Sequence, residues 1–304
     1  MALRDPSDPS QTEVHAVKRG LFSASIWSIA ANLGTQTATF IIFLILARLL
    51  TPSDFGMVAI AMAFIDISRG VMLGGIPEAL IQRKEWDEEE ASAAFWINLA
   101  ASLLFLLLIL AVALAAATIF HSRSLGWMVL AALSFTLVID SLRAVHEAHL
   151  RRTFSYKLLA KRSVAASILA GIAGIVAAFL GAGVWALVVQ RMATSAIQTV
   201  VLWSSDVFRP RRVSLRTQSV KDLTRFGTSV LGARLLGQIN RRLADFILGN
   251  FGGTHLLGLY RVGTRSLDYI LSATVSPIQN ATLSAFSRLQ NSESRARAYV
   301  RSTQ

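Results

Sequence analysis

Hydrophobic positions in this chain gather into runs of the length that a membrane-crossing helix needs. A helix needs about 20 mostly apolar residues to cross the hydrocarbon core of a bilayer, and inside that core its backbone polar groups must be satisfied internally. About eight stretches qualify: Leu21–Ala47, Gly56–Leu80, Ala93–Phe120, Leu125–Leu142, Val164–Leu180, Val184–Trp203, Phe226–Asn250 and Leu256–Phe286. The third, with LLFLLLILAVALAAA at its heart, is the least ambiguous, whereas the seventh and eighth are far more polar. The pattern predicts an all-α membrane protein with about eight transmembrane helices. Residues 1–20 form a polar tail of mixed charge, expected to be disordered. The first apolar run is too long for the core of a cleaved signal peptide, so a retained first helix is expected.

Composition agrees with the pattern. Of 304 residues, 53% are hydrophobic and 16% charged, against about a quarter charged in soluble domains. A net charge of +12 would suggest nucleic acid in a soluble protein. Here the basic residues sit between apolar runs, so nucleic acid is not an expected partner. Lys and Arg gather on the cytoplasmic side of membrane proteins. The tail and alternate connections are basic: Arg83 and Lys84, then Arg151 to Arg162, then Arg209 to Arg225, then Arg288 to Arg301. This alternation predicts an even number of spans with both termini cytoplasmic, and it supports the two polar spans. With no cysteine in the chain, disulfides, thiolate metal sites and a cysteine nucleophile are excluded.

The chain also resembles itself at an offset of 202. Gln36, Leu46, Gly56 and Asp66 fall on Gln238, Leu248, Gly258 and Asp268, within two helical hairpins of similar layout. Such repeats are common in transporters. The expectation is a six-helix N-lobe over 21–205, a basic linker over 206–225, and a partial C-lobe over 226–304 with two spans and a polar end, so that the chain reads as C-terminally truncated.

Polar residues inside the spans mark the candidate path. The first span carries Asn32 and Gln36 on one face, and the second Asp66 and Arg69. The seventh carries Arg234, Gln238, Arg241, Arg242 and Asp245, and the eighth Arg261, Arg265 and Asp268. An ionised group near the bilayer centre costs about 2.5–3.5 kcal/mol even on the lenient insertion scale, so these groups are expected to face partner helices or a wet cavity. Expected pairs are Asp66 with Arg69, Asp245 with Arg241 or Arg242, and Asp268 with Arg265. Six arginines against three aspartates leave a cationic surplus. Arginine stays charged when desolvated and grips phosphate through two parallel hydrogen bonds, so the surplus suits an anionic head group. Paired groups that merely lock helices together are the plainer alternative. Gly74, Gly75, Pro77 and Pro277 break the helical pattern at equivalent ends of the second and eighth spans and are either hinges or static packing features.

Catalytic chemistry is not expected. His146-Glu147-Ala148-His149 misses the H-E-x-x-H spacing by one residue and lies in a basic connection, where a solvated face is expected. No catalytic or metal-binding constellation and no cofactor signature stands out, and P-loop and dinucleotide signatures are missing. The chain is read as a non-enzyme.

The residues named above carry a resemblance. GLFSASIWSIAANLGTQTATFIIFLILARLLTPSDFGMVAIAMAFIDI resembles the opening of polysaccharide-exporting members of the multidrug/oligosaccharidyl-lipid/polysaccharide (MOP) superfamily. EALIQRKEWDEEEASAAFWINL, LRRTFSYKLLAKRS, GAGVWALVVQ, ADFILGNFGGTHLLGLYRVGTRS and LSAFSRLQ continue it in order, from Lys18 to Arg301. The resemblance is to the Wzx-like, succinoglycan- and teichuronic-acid-type exporters. It implies a bacterial inner-membrane flippase that moves a polyprenyl-pyrophosphate-linked oligosaccharide outward, with membrane lipids, a polysaccharide polymerase and export machinery around it. It also implies two lobes about a cavity lined by the first, second, seventh and eighth helices. Arg242 and Asp245 fit the family's Arg-x-x-Asp element, and Arg241 is additional. The other readings are a non-functional or split fragment of such a flippase, and a cation-coupled multidrug antiporter of the same superfamily, which the arginine surplus disfavours.

Overall fold

The computed structural model describes residues 34–73, 75–82, 86–119, 125–153, 156–205, 208–211 and 236–269, all helices and their connections. The expected disordered tail, most of the expected basic linker and the end of the expected eighth span lie outside the described residues. The helices are α1 (Gly34–Leu49), α2 (Pro52–Leu73), α3 (Ile76–Gln82), α4 (Glu88–Ile119), α5 (Leu125–Arg152), α6 (Tyr156–Phe179), α7 (Val184–Ser205), and α8, residues 236–269. Two units are distinguished, Met1–Val262 and Gly263–Gln304. The packing below belongs to the first; of the second, residues 263–269 continue the α8 helix.

Five of these helices are long and apolar enough to cross a membrane. Their outward faces are strongly apolar: Leu104, Leu107, Leu108 and Leu114 on α4, and Leu169, Ile172, Val176 and Phe179 on α6, stand exposed. Surfaces of that extent are not stable against water, and lipid is the solvent that accepts them. The chain is a multi-pass all-α membrane protein.

α5 is the central helix, packing against α2, α3, α4 and α7. Its buried Val129, Leu130, Leu133 and Leu137 meet Ala61, Ile65 and Met72 of α2, Ile109 of α4, and Val184 and Val188 of α7. Two hydrogen bonds fasten α7 to it: Thr199 Oγ1 donates to the carbonyl of Ile139 at 3.0 Å, and Trp203 Nε1 to that of Leu142 at 2.9 Å. α1 lies against α6, where Thr39 and Ser167 share a 2.7 Å hydrogen bond and a Cβ on Gly171 would overlap Ile42. Small residues at such crossings let helices approach where no hydrophobic force drives them together.

The helix ends follow from local chemistry. Thr51 caps α2, with Pro52 in the first turn. The Thr51 N–H donates to Asp54 Oδ2 at 2.9 Å, and the Asp54 N–H returns a longer bond to Thr51 Oγ1 at 3.4 Å, a reciprocal capping box. α6 ends at Gly181, whose φ of 78° allows Ala182 N–H to reach back to the Ala177 carbonyl and Gly181 N–H to that of Ala178.

Several sequence expectations are corrected here. The second expected span is two helices, because Gly75 takes a φ of 83° and the chain restarts as α3. The fourth runs on to Arg152, ten residues past its expected end. The His146 segment therefore lies within α5 and is not on a solvated face: His146 is fully buried, its ring stacked on Trp203 at 4.9 Å beside Phe95 and Phe208. Phe208 opens a short strap on α4, where Trp96 Nε1 donates to the Arg211 carbonyl and the Arg211 N–H to Ser92 Oγ.

Candidate functional site

α8 doubles back on itself. Asp245 and Arg261 are sixteen residues apart yet their side chains touch, whereas a straight helix would hold them about 24 Å apart. The reversal is at Gly253, which takes a φ of 70°, the left-handed sign that ends a right-handed helix. Asp245 and Arg261 stand symmetrically about it. α8 is thus a second hairpin beside the one made by α1 and α2, as the internal repeat predicts.

The two hairpins meet through glycine. A Cβ on Gly56 would overlap the backbone carbonyl of Thr254, and a Cβ on Gly258 would overlap that of Pro52. These contacts exchange under the offset of 202: Pro52 corresponds to Thr254 and Gly56 to Gly258. Residue i of one hairpin touches j of the other while j touches i, the signature of a two-fold joint. Away from the joint α2 runs antiparallel to the first arm of α8. Ile60 lies 3.1 Å from where a Cβ on Gly249 would be, Phe64 meets Phe246 edge-on at 5.3 Å, and Gly70 comes up to Gln238.

Along this seam runs a chain of ion pairs. Arg261 binds Asp245, and Arg242 bridges Asp245 (Nη1 to Oδ2, 3.2 Å) and Asp66. Asp66 also accepts from Arg69 Nη1 at 3.0 Å, and Arg69 Nη2 reaches Asp140 of α5 at 2.6 Å. The chain continues down α5, from Asp140 to Arg143 (3.0 Å) and on to Glu147 (2.8 Å), which also holds Arg151 and Arg162 of α6. Arg191 of α7 lies close enough to Asp140 to act on it electrostatically. Asp245 is 1% and Asp140 4% exposed. Each of these two carboxylates is met by two guanidiniums, which offsets the cost of burying it. Asp245 Oδ1 accepts no hydrogen bond among the described residues.

Of the expected site residues, Asp66, Arg69, Arg242, Asp245 and Arg261 come together in this chain. Asp66 does pair with Arg69, and Asp245 pairs with Arg242 rather than Arg241. Arg241 is exposed, and its Nε and Nη2 both donate to Gln238 Oε1, at 3.2 and 2.8 Å. Gln36 is half-buried on α1 and does not join the chain. Arg265 and Asp268 belong to the second unit, both exposed. Pro77 lies in the first turn of α3, beside the Gly75 break. Asn32, Arg234, Gly74 and Pro277 lie outside the described residues. The sequence reading missed Asp140, Arg143, Glu147 and Arg162. A signal for the first two was present: Asp140-Ser-Leu-Arg143 has the same Asp-x-x-Arg spacing as Asp66-Ile-Ser-Arg69.

Long lipid-facing helices around an internal file of arginine–carboxylate pairs define a multi-pass membrane protein with a charged interior seam. The sequence narrows the class further. Residues 45–304 match the family described as polysaccharide biosynthesis protein, and the chain belongs to that family. It is 24% identical over 279 residues to the succinoglycan biosynthesis transport protein ExoT of Rhizobium meliloti (strain 1021), covering 91% of this chain and 56% of that one. It is 20% identical over 250 residues to the teichuronic acid biosynthesis protein TuaB of Bacillus subtilis (strain 168), covering 81% and 51%. With the lipopolysaccharide biosynthesis protein WzxC of Escherichia coli (strain K12) it shares 21% identity over 93% of this chain and 57% of the relative. The chain spans about half the length of the curated relatives it matches. No solved structure matches it.

Proposed function

We propose that the chain serves in moving a polyprenyl-pyrophosphate-linked oligosaccharide outward across the bacterial inner membrane, as a flippase of surface-polysaccharide biosynthesis working by alternating access. The observation that carries this reading is Arg241. Its neighbours Arg242 and Arg261 are paired with the half-buried Asp66 and the buried Asp245. Arg241 is held instead by the neutral amide of Gln238, so it keeps its full charge on an exposed face of α8. A cation there is costly against lipid, about 2.5–3.5 kcal/mol near the bilayer centre, but favourable where a phosphate arrives. With both termini cytoplasmic, the Thr51 and Gly253 turns face outward. The glycine joint then closes the outer end of the path while Arg241 receives the pyrophosphate, and the polyprenyl tail stays in the bilayer. A polysaccharide polymerase and export machinery are the partners that would receive the product.

The test uses a strain whose surface-polysaccharide exporter is deleted and supplied in trans. At equal protein level in the membrane, Arg241→Ala should abolish polysaccharide export and leave lipid-linked repeat units accumulated in the inner leaflet. Arg241→Lys should retain part of the activity, since the charge remains but not the planar fork. Normal export with Arg241→Ala would sink the proposal.

A further inference from the structure

The first described turns of α8 hold an arrangement that stands apart from the ion-pair chain. A long side chain on a helix leans toward the N-terminus, over the residues three and four places before it. Arg241 therefore lies over Gly237 and Gln238. Gln238 Oε1 accepts from both Nε and Nη2 of Arg241, at 3.2 and 2.8 Å. A single oxygen thus holds one edge of the guanidinium plane. The end-on edge, Nη1 with the second Nη2 hydrogen, makes no hydrogen bond among the described residues. Gly237 lies beside that edge: a Cβ there would meet Nη1, at 4.0 Å, and nothing else within 4 Å among the described residues. Gln238 in turn is backed by α2, since a Cβ on Gly70 would lie 3.4 Å from Gln238 Cγ.

We infer that Gln238 is a positioning residue that fixes the Arg241 guanidinium as a two-pronged phosphate receptor. An amide suits this role because it orients the guanidinium through hydrogen bonds without cancelling its charge, as a carboxylate would. The two parallel N–H groups of the open edge match two oxygens of one phosphoryl group. A guanidinium already held in its plane gives up less side-chain freedom when the anion arrives. Gly237 contributes by what it lacks, since a side chain there would lie against Nη1. Glycine is otherwise a poor residue in a helix. Gly70 joins the receptor to α2, so the orientation of Arg241 is set while the two helices are in contact. This inference rests on the proposed function, and it assigns Gln238 to Arg241 rather than to the substrate.

The test measures binding of labelled farnesyl pyrophosphate to the full chain in nanodiscs, with farnesol as the control for attraction through the tail alone. Gln238→Met keeps the length and removes the acceptor, and Gln238→Glu keeps the shape and turns the amide into a carboxylate. At parental helicity both should weaken binding about fivefold or more, within the range of groups that act as a unit, and Gln238→Glu the more of the two. Gly237→Leu should weaken it similarly without lowering the melting temperature, because leucine favours the helix while covering Nη1. The deciding measurement is a double-mutant cycle. Arg241→Lys loses the fork, so it should weaken binding in the parent and have little further effect in Gln238→Met, where the fork is no longer held. The near-isosteric Gln238→Glu carries the same cycle if Gln238→Met does not fold. A merely structural Gln238 would leave the Arg241→Lys loss equal in both backgrounds. That result, or parental binding by Gln238→Glu or Gly237→Leu, overturns the inference while leaving the transport reading intact. Farnesyl pyrophosphate binding no better than farnesol, in parent and Arg241→Ala alike, overturns both.

Discussion

Asp140 is the buried acid on which arginines of α2 and α5 converge. It holds Arg69 and Arg143 and lies within the field of Arg191. Removing one partner of a buried pair leaves the other charge uncompensated, at about 3–5 kcal/mol. Asp140→Asn should therefore lower the melting temperature of the detergent-solubilised protein sharply, whereas Arg241→Ala should leave it within a degree or two; equal effects would refute this division between structural and exposed charges. The pairing of Asp140 with Arg69 could not be read from sequence, because it joins α2 to α5 across a long stretch of chain. The pairs within one helix, Asp66 with Arg69 and Arg242 with Asp245, were legible because three-residue spacing places both on one face. His146 was misread for a related reason. Its neighbours in sequence are basic, but its neighbours in space are Trp203, Phe95 and Phe208.

At the scale of elements, the strongly apolar α4 to α7 declared themselves by run length. The polar second hairpin was legible only through loop charge and the repeat, because the groups it pairs with α2 and within itself, Arg242, Asp245 and Arg261, interrupt its apolar run. Its turn differs from that of the first hairpin, a left-handed glycine where the other has a Thr51–Asp54 capping box. What the two share is the glycine that follows, and that position sets their spacing. A Cβ on Gly249 would lie 3.3 Å from Ile60 Cγ1, so cysteines at both positions should form a disulfide on oxidation, and Gly56→Ala and Gly258→Ala should each reduce this Ile60→Cys/Gly249→Cys cross-link to a small fraction of its parental yield. Gly263→Ala, where an added Cβ meets nothing within 4 Å among the described residues, should leave it unchanged.

For the molecule as a whole, the charge file and the glycine joint act at different points of one seam. The joint tolerates no side chain and fixes where the hairpins touch. The file ties α2, α5 and α8 to one another through paired charges.

The two-fold character of the joint has a consequence between molecules. Each hairpin offers the other the same surface that it receives, and the two are far apart along the chain. The contacts of the joint do not depend on the two hairpins belonging to one chain. Two chains that exchanged a hairpin would close both joints with the same reciprocal glycine contacts, the geometry of a swapped dimer.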